Sequence, residues 1–174
     1  GTYRFYQEAY KVQAEKLINL EGKINRALRF DEFSLNYQPV VDFSNRKLAG
    51  IEVLIRWEKE KNNLNTGEFI ALAEKTGQIV KIDKWVIANA FQMIEKQIGC
   101  CKATVSINIS AKTLATVDLL DFLQGKVEAF NIDPKCIEFE ITEHSLIADL
   151  ESTKHLINRI KTLGFRIALD DFGT

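Results

Sequence analysis

Five short segments alternate between apolar and polar residues, and on each the polar side carries acids, amides or a guanidinium. In G-I-E-V-L-I-R-W, Ile51, Val53, Ile55 and Trp57 fall on one side and Glu52, Leu54 and Arg56 on the other. Val105, Ile107 and Ile109 oppose Ser106, Asn108 and Ser110; Ile137, Phe139 and Ile141 oppose Glu138, Glu140 and Thr142. Ile167 and Leu169 oppose Asp170, and Gln38 sides with Ser34 and Asn36 away from Leu35 and Tyr37. Strands covered by helices on both faces normally read as continuous apolar runs. A polar face on every strand therefore requires a lumen or cavity on that side and helix cover on the other.

The segments between these strands supply the helices. After a hairpin of strands Phe33 to Asp42 and Leu48 to Trp57 comes a polar loop, Glu58 to Gly67. Phe69, Ile70, Leu72 and Ala73 then predict a short helix stopped by Gly77. Ile87, Ala90, Phe91, Ile94 and Ile98 form one stripe of a helix from Val80 to about Ile98, with Gly99 at its end. Strand Ala103 to Ser110 follows. Leu120, Leu123, Val127 and Phe130 mark the next helix, strand Ile137 to Glu143 succeeds it, and a helix from Asp149 to Leu163 closed by Gly164 leads to the last strand. Regular alternation of strand and helix requires parallel strands with right-handed crossovers. With the polar parity, it predicts an α/β fold, a (β/α) barrel of which about the first five strands are present. Upstream, Leu17, Leu20, Ile24, Ala27 and Leu28 place an amphipathic helix over Phe5 to about Asp31. The chain divides accordingly into a linker helix, 1–32, and a barrel portion, 33–174, and the helix is expected to connect to an upstream domain.

In a (β/α) barrel the functional groups project from the C-terminal ends of the strands. Gln38, Glu52, Arg56, Asn108, Glu140 and Asp170 are expected to converge there, with Asp171 and Glu143 at the rim. Three carboxylates and an amide oxygen make a hard-oxygen set suited to Mg²⁺ or Mn²⁺ and poorly suited to zinc. A second ion falls to the rim acids. Each acid taken singly reads as surface charge or a satisfied ion pair, and Arg56 alone reads as the neutralising partner of Glu52. The shared parity is what separates the set from that reading.

Composition narrows the rest. With 46% hydrophobic and 27% charged residues the chain is not disordered, and a net charge of -1 gives no broad attraction for DNA, RNA or anionic lipid. His144 and His155 are far from zinc-ligand spacing and read as surface residues; Lys59, Lys61 and Lys81 read as solvated loop charge. Cys100, Cys101 and Cys136 are odd in number and lack C-x-x-C spacing, which favours a reducing cytoplasm. No apolar run approaches a membrane span, although absent segments of a parent protein would be free to tether it.

The motifs together resemble the EAL family of cyclic di-GMP phosphodiesterases over about Phe33 to Thr174. The match consists of Y-Q-P at Tyr37 to Pro39, E-x-L-x-R at Glu52 to Arg56, F-I-A-L-A-E-K-T-G at Phe69 to Gly77, S-I-N-I-S at Ser106 to Ser110, E-I-T-E at Glu140 to Glu143 and D-D-F-G at Asp170 to Gly173. Val53 replaces the alanine that names the family, on the apolar side of the strand. The resemblance implies that Glu52, Asn108, Glu140 and Asp170 hold a first metal, that Asp171 serves a second, and that Gln38 and Arg56 contact the ligand. It also implies that Glu143 supports the loop after D-D-F-G, and that the reaction is two-metal hydrolysis of cyclic di-GMP to the linear dinucleotide in bacterial second-messenger signalling. Catalytic roles fall to Glu52, Asp170, Asp171 and Glu143. Family domains continue past D-D-F-G-T, so the activity belongs to the intact domain, and this chain alone is expected to be inactive. The other function class is a non-catalytic cyclic di-GMP receptor or protein-interaction module. Expected partners are cyclic di-GMP, an upstream diguanylate cyclase-like or sensory domain, and a second copy of the chain.

Overall fold

A computed structural model of the chain describes residues 8–57, 65–98, 103–142 and 150–170. Helix α1 (Glu8–Arg29) leads into the antiparallel hairpin of β1 (Phe33–Asp42) and β2 (Lys47–Trp57). Next come α2 (Thr66–Thr76), α3 (Ile79–Met93), which passes into a π turn over Ile94–Ile98, and β3 (Thr104–Asn108). The short α4 (Ala111–Leu114), α5 (Leu119–Phe130), β4 (Ile137–Thr142), α6 (Leu150–Thr162) and β5 (Arg166–Asp170) complete the order. The five strands form one sheet in the order β1-β2-β3-β4-β5, parallel from β2 onwards, so the expected arc of a (β/α) barrel is present.

Parity governs burial as the sequence requires. Val105, Ile107, Ile137, Phe139 and Ile141 are fully buried on the outer face, against a helix layer in which Ile87, Ala90, Phe91, Leu119, Leu123 and Ile160 are equally buried. Behind the end of β2 an aromatic cluster closes the core. Phe33 lies 5.2 Å from Trp57 and 5.7 Å from Trp85, and Trp57 meets Phe69 edge-on at 5.5 Å. Leu20, Ile24 and Ala27 of α1, spaced four and three residues apart, are buried too. The same helix reaches α3 and its cap through Gln78 Nε2 to Glu21 Oε1 (2.8 Å) and Lys81 Nζ to Asn25 Oδ1 (3.0 Å).

Several boundaries move. α2 begins ahead of Gly67 because Asn65 and Glu68 form a reciprocal capping box, at 2.9 and 3.0 Å, which fixes the first turn despite the glycine inside it. Gly77 ends the helix in the left-handed conformation, φ 77°, as expected. β3 stops at Asn108, since the Ser110 side chain accepts from the Thr113 amide and caps α4. Lys81 belongs to α3 and not to a loop, whereas His155 is an exposed helix residue as read. Cys136 is disulfide-bonded, so cysteine usage does not argue for a reducing compartment. Gly99, Cys100, Cys101, His144, Lys59 and Lys61 also lie outside the described residues. Among the described residues no helix is long and apolar enough to cross a membrane.

Candidate active site

The lumen face presents the expected polar groups side by side. Gln38 of β1 is in register with Glu52 of β2, and Asn108 of β3 is in register with Glu140 of β4. Asn108 Nδ2 donates to Glu52 Oε1 at 3.3 Å, so the two pairs meet across the β2–β3 boundary. β4 is tied in by the Ile109 amide, which donates to the Glu140 carbonyl at 3.0 Å. Arg56 sits four residues further along β2, opposite Ser34. Its Nη1 donates to the Ile55 carbonyl at 2.9 Å, and it forms no ion pair with Glu52 among the described residues, so its charge is not consumed by that acid. Asp170 ends β5 opposite Thr142. Asp171 and Glu143 lie outside the described residues.

Below this rim the lumen stays polar. Arg166 of β5 is in register with Glu138, and its Nη1 donates to Thr104 Oγ1 at 3.1 Å, bracing β5 to β3 beneath the acids. A cavity of about 240 Å³ opens at the ends of β2 and β3, where Arg56, Asn108 and Glu140 share the lining with apolar residues of β2 and α3, Val53, Ile55, Ile79 and Ile82 among them. That volume is below the roughly 300–1,000 Å³ of pockets for drug-sized ligands, so it accommodates only part of a dinucleotide.

The donor chemistry fits a hard divalent cation, since Glu52, Asn108 and Glu140 offer oxygens and, among the described residues, no histidine or thiol stands beside them. Among the described residues no group of three His, Cys, Asp or Glu side chains is gathered as a metal cluster, and the described part of the set is two carboxylates and an amide.

Asp83 was not singled out in the sequence, and it is the buried acid nearest this rim. Only 6% exposed, it takes hydrogen bonds at Oδ2 from the Ser110 amide (3.0 Å), the Ser110 hydroxyl (2.7 Å) and the Thr113 hydroxyl (2.6 Å). Burial raises its pKa above the ordinary carboxylate value, and the three donors offset this only in part. The signal was in the pattern: Asp83 lies four residues after Ile79 and three before Val86, on the apolar stripe of α3.

The family model described as EAL domain matches residues 21–174. The chain belongs to the EAL domain family. Its match begins inside α1, so the last turns of that helix fall within the EAL domain. The chain is 40% identical over 176 residues to the biofilm architecture maintenance protein MbaA of Vibrio cholerae, covering 97% of this chain and 22% of that protein. It is 30% identical over 175 residues to the bifunctional diguanylate cyclase/cyclic di-GMP phosphodiesterase MucR of Pseudomonas aeruginosa, covering 99% of this chain and 26% of that protein. It thus spans about a quarter of the length of these curated relatives. Among solved structures, the PaMucR phosphodiesterase in its c-di-GMP complex superposes with a TM-score of 0.82 at 30% identity, covering 90% of this chain and 64% of that one. An EAL domain fold, TIM-barrel-like, is therefore common to this chain and its neighbours.

Proposed function

We propose that this EAL domain belongs to a divalent-metal phosphodiesterase that opens cyclic di-GMP to the linear dinucleotide. The observation that carries the reading is the hydrogen bond from Asn108 to Glu52, with Gln38 and Glu140 in register on either side. It sets oxygen donors from three adjacent parallel strands on one lumen surface. The names of relatives such as MucR support the substrate class.

Glu52, Asn108 and Glu140 would hold the first Mg²⁺ or Mn²⁺ together with Asp170, and Asp171 a second. Such ions supply charge neutralisation at phosphate and a water of lowered pKa. The chain's own residues bind and orient. Arg56, with its guanidinium at the end of β2, pairs with a phosphate, a role suited to its planar set of donors. Gln38 contacts the ligand beside Glu52, and Glu143 supports the loop that follows Asp171. The full-length protein carries an upstream signalling domain, as the diguanylate cyclase part of MucR suggests.

The test is hydrolysis of cyclic di-GMP by the full-length gene product, followed chromatographically with Mg²⁺, with Mn²⁺ and with chelator. Linear dinucleotide that forms with either ion and disappears with chelator is expected. Binding of cyclic di-GMP without turnover under both ions would overturn the enzyme reading in favour of the receptor class.

A further inference from the structure

Asn108 is the last residue of β3, its side chain is exposed, and its hydrogen bond to Glu52 is long at 3.3 Å. That bond alone is too weak to fix which way the amide points. The orientation must come from the backbone around it. On one side the backbone is held by β4 through Asn108's register with Glu140 and the Ile109 amide. On the other it enters α4, whose four residues are too few to be stable by themselves. The anchor there is Asp83. Its Oδ2 gathers both the amide and the hydroxyl of Ser110, two residues beyond Asn108, and the hydroxyl of Thr113 in α4.

A carboxylate this deeply buried is costly wherever it sits, and the three donors that offset the cost all belong to one turn. Any movement of that turn would leave Asp83 without partners, so α3 and the end of β3 move as one body. We propose that Asp83 is a positioning residue for the metal site, which holds the strand-to-helix turn after Asn108 and thereby aims the Asn108 amide at the space beside Glu52. The inference rests on the metal-dependent reading above. It assigns Asp83 no contact with substrate or metal. Outer partners that orient a ligand commonly change metal affinity by about 10–100-fold when removed.

The experiment is Mn²⁺ titration calorimetry on the full-length gene product, with thermal unfolding of each variant alongside. Asp83→Ala is expected to weaken Mn²⁺ binding about tenfold. Asp83→Asn, which keeps an acceptor oxygen for the same donors, should retain most of the affinity. Because the effect runs through Asn108, Asp83→Ala should add no further loss in an Asn108→Ala background. Should Asp83→Ala fail to fold, Thr113→Val removes one of the three bonds at constant shape and should weaken Mn²⁺ in the wild-type background only. Losses that multiply in the double variant, or Mn²⁺ affinity unchanged while stability falls, overturn the inference and leave the phosphodiesterase reading standing. A wild-type protein that binds no Mn²⁺ overturns the metal reading and the inference together.

Discussion

Asn108 donates its side-chain amide to Glu52 across 3.3 Å, joining the end of β3 to the middle of β2 on the lumen face. The bond uses the Asn108 nitrogen as donor and a Glu52 oxygen as acceptor. Replacing Glu52 removes a proposed ligand carboxylate and the acceptor of that bond. Glu52→Ala should therefore lower kcat for cyclic di-GMP beyond the roughly 10–100-fold typical of losing an outer partner. Wild-type kcat at saturating Mn²⁺ would refute the ligand assignment.

Asp171 follows the last residue of β5, and its proposed second ion acts mainly on charge that develops in the transition state. Asp171→Asn is expected to depress turnover with Mg²⁺ more than it weakens binding of cyclic di-GMP in Ca²⁺. Calorimetry in Ca²⁺ set beside turnover in Mg²⁺ separates the two, and equal losses would argue against a second-metal role.

Much of this architecture was legible because each strand keeps a period of two and each side chain's face follows from it. Val105, Ile107, Ile137, Phe139 and Ile141 are buried as their parity demands, and Gln38, Glu52, Asn108 and Glu140 share the opposite face. Strand ends were less legible, because they depend on side chains that compete with the ladder. Ser110 continues the polar alternation of β3, yet it turns to Asp83 and caps α4. Asp83 illustrates the remaining gap. An acid on an apolar stripe is visible in sequence, but its partners lie 27 and 30 residues away, and only the crossover brings them together.

Gly164 adopts φ 98°, and a Cβ there would lie 3.3 Å from Pro134 Cβ. A left-handed conformation costs a residue other than glycine roughly 1–2 kcal/mol, and the proline adds crowding. Gly164→Ala should lower unfolding free energy by about that amount in urea titration. A loss near zero would mean that the turn between α6 and β5 relaxes freely.

Lys84 Nζ lies 2.7 Å from Asp118 Oδ2 and joins α3 to the start of α5. The hydrogen bond from Lys84 holds the Asp118 pKa below 3.8, so its contribution to stability is present above that value and is lost as pH falls through the lower folded-state pKa. Lys84→Met should consequently flatten the acid limb of the stability profile, with the difference shrinking in high salt because Asp118 is exposed. Parallel acid limbs for wild type and variant in low salt would show that the pair contributes nothing.

The two ends of the sheet pose the last test. Among the described residues β1 and β5 each have one neighbouring strand, and unpaired edges are templates for association. Apolar side chains accompany them: Val40, Val41, Phe43 and Leu48 are exposed around the hairpin, and Leu169 is 47% exposed on β5. The 174-residue chain produced on its own should self-associate and hydrolyse cyclic di-GMP negligibly, because its five described strands form an open arc and not a closed ring. Placing lysine on an edge discourages strand pairing, so Val41→Lys with Leu169→Lys should shift the chain towards monomer without restoring activity. Light scattering over a dilution series, read beside a hydrolysis assay, checks both expectations. A monodisperse wild-type monomer with ready turnover would show that five strands suffice, and the argument from open edges would fail.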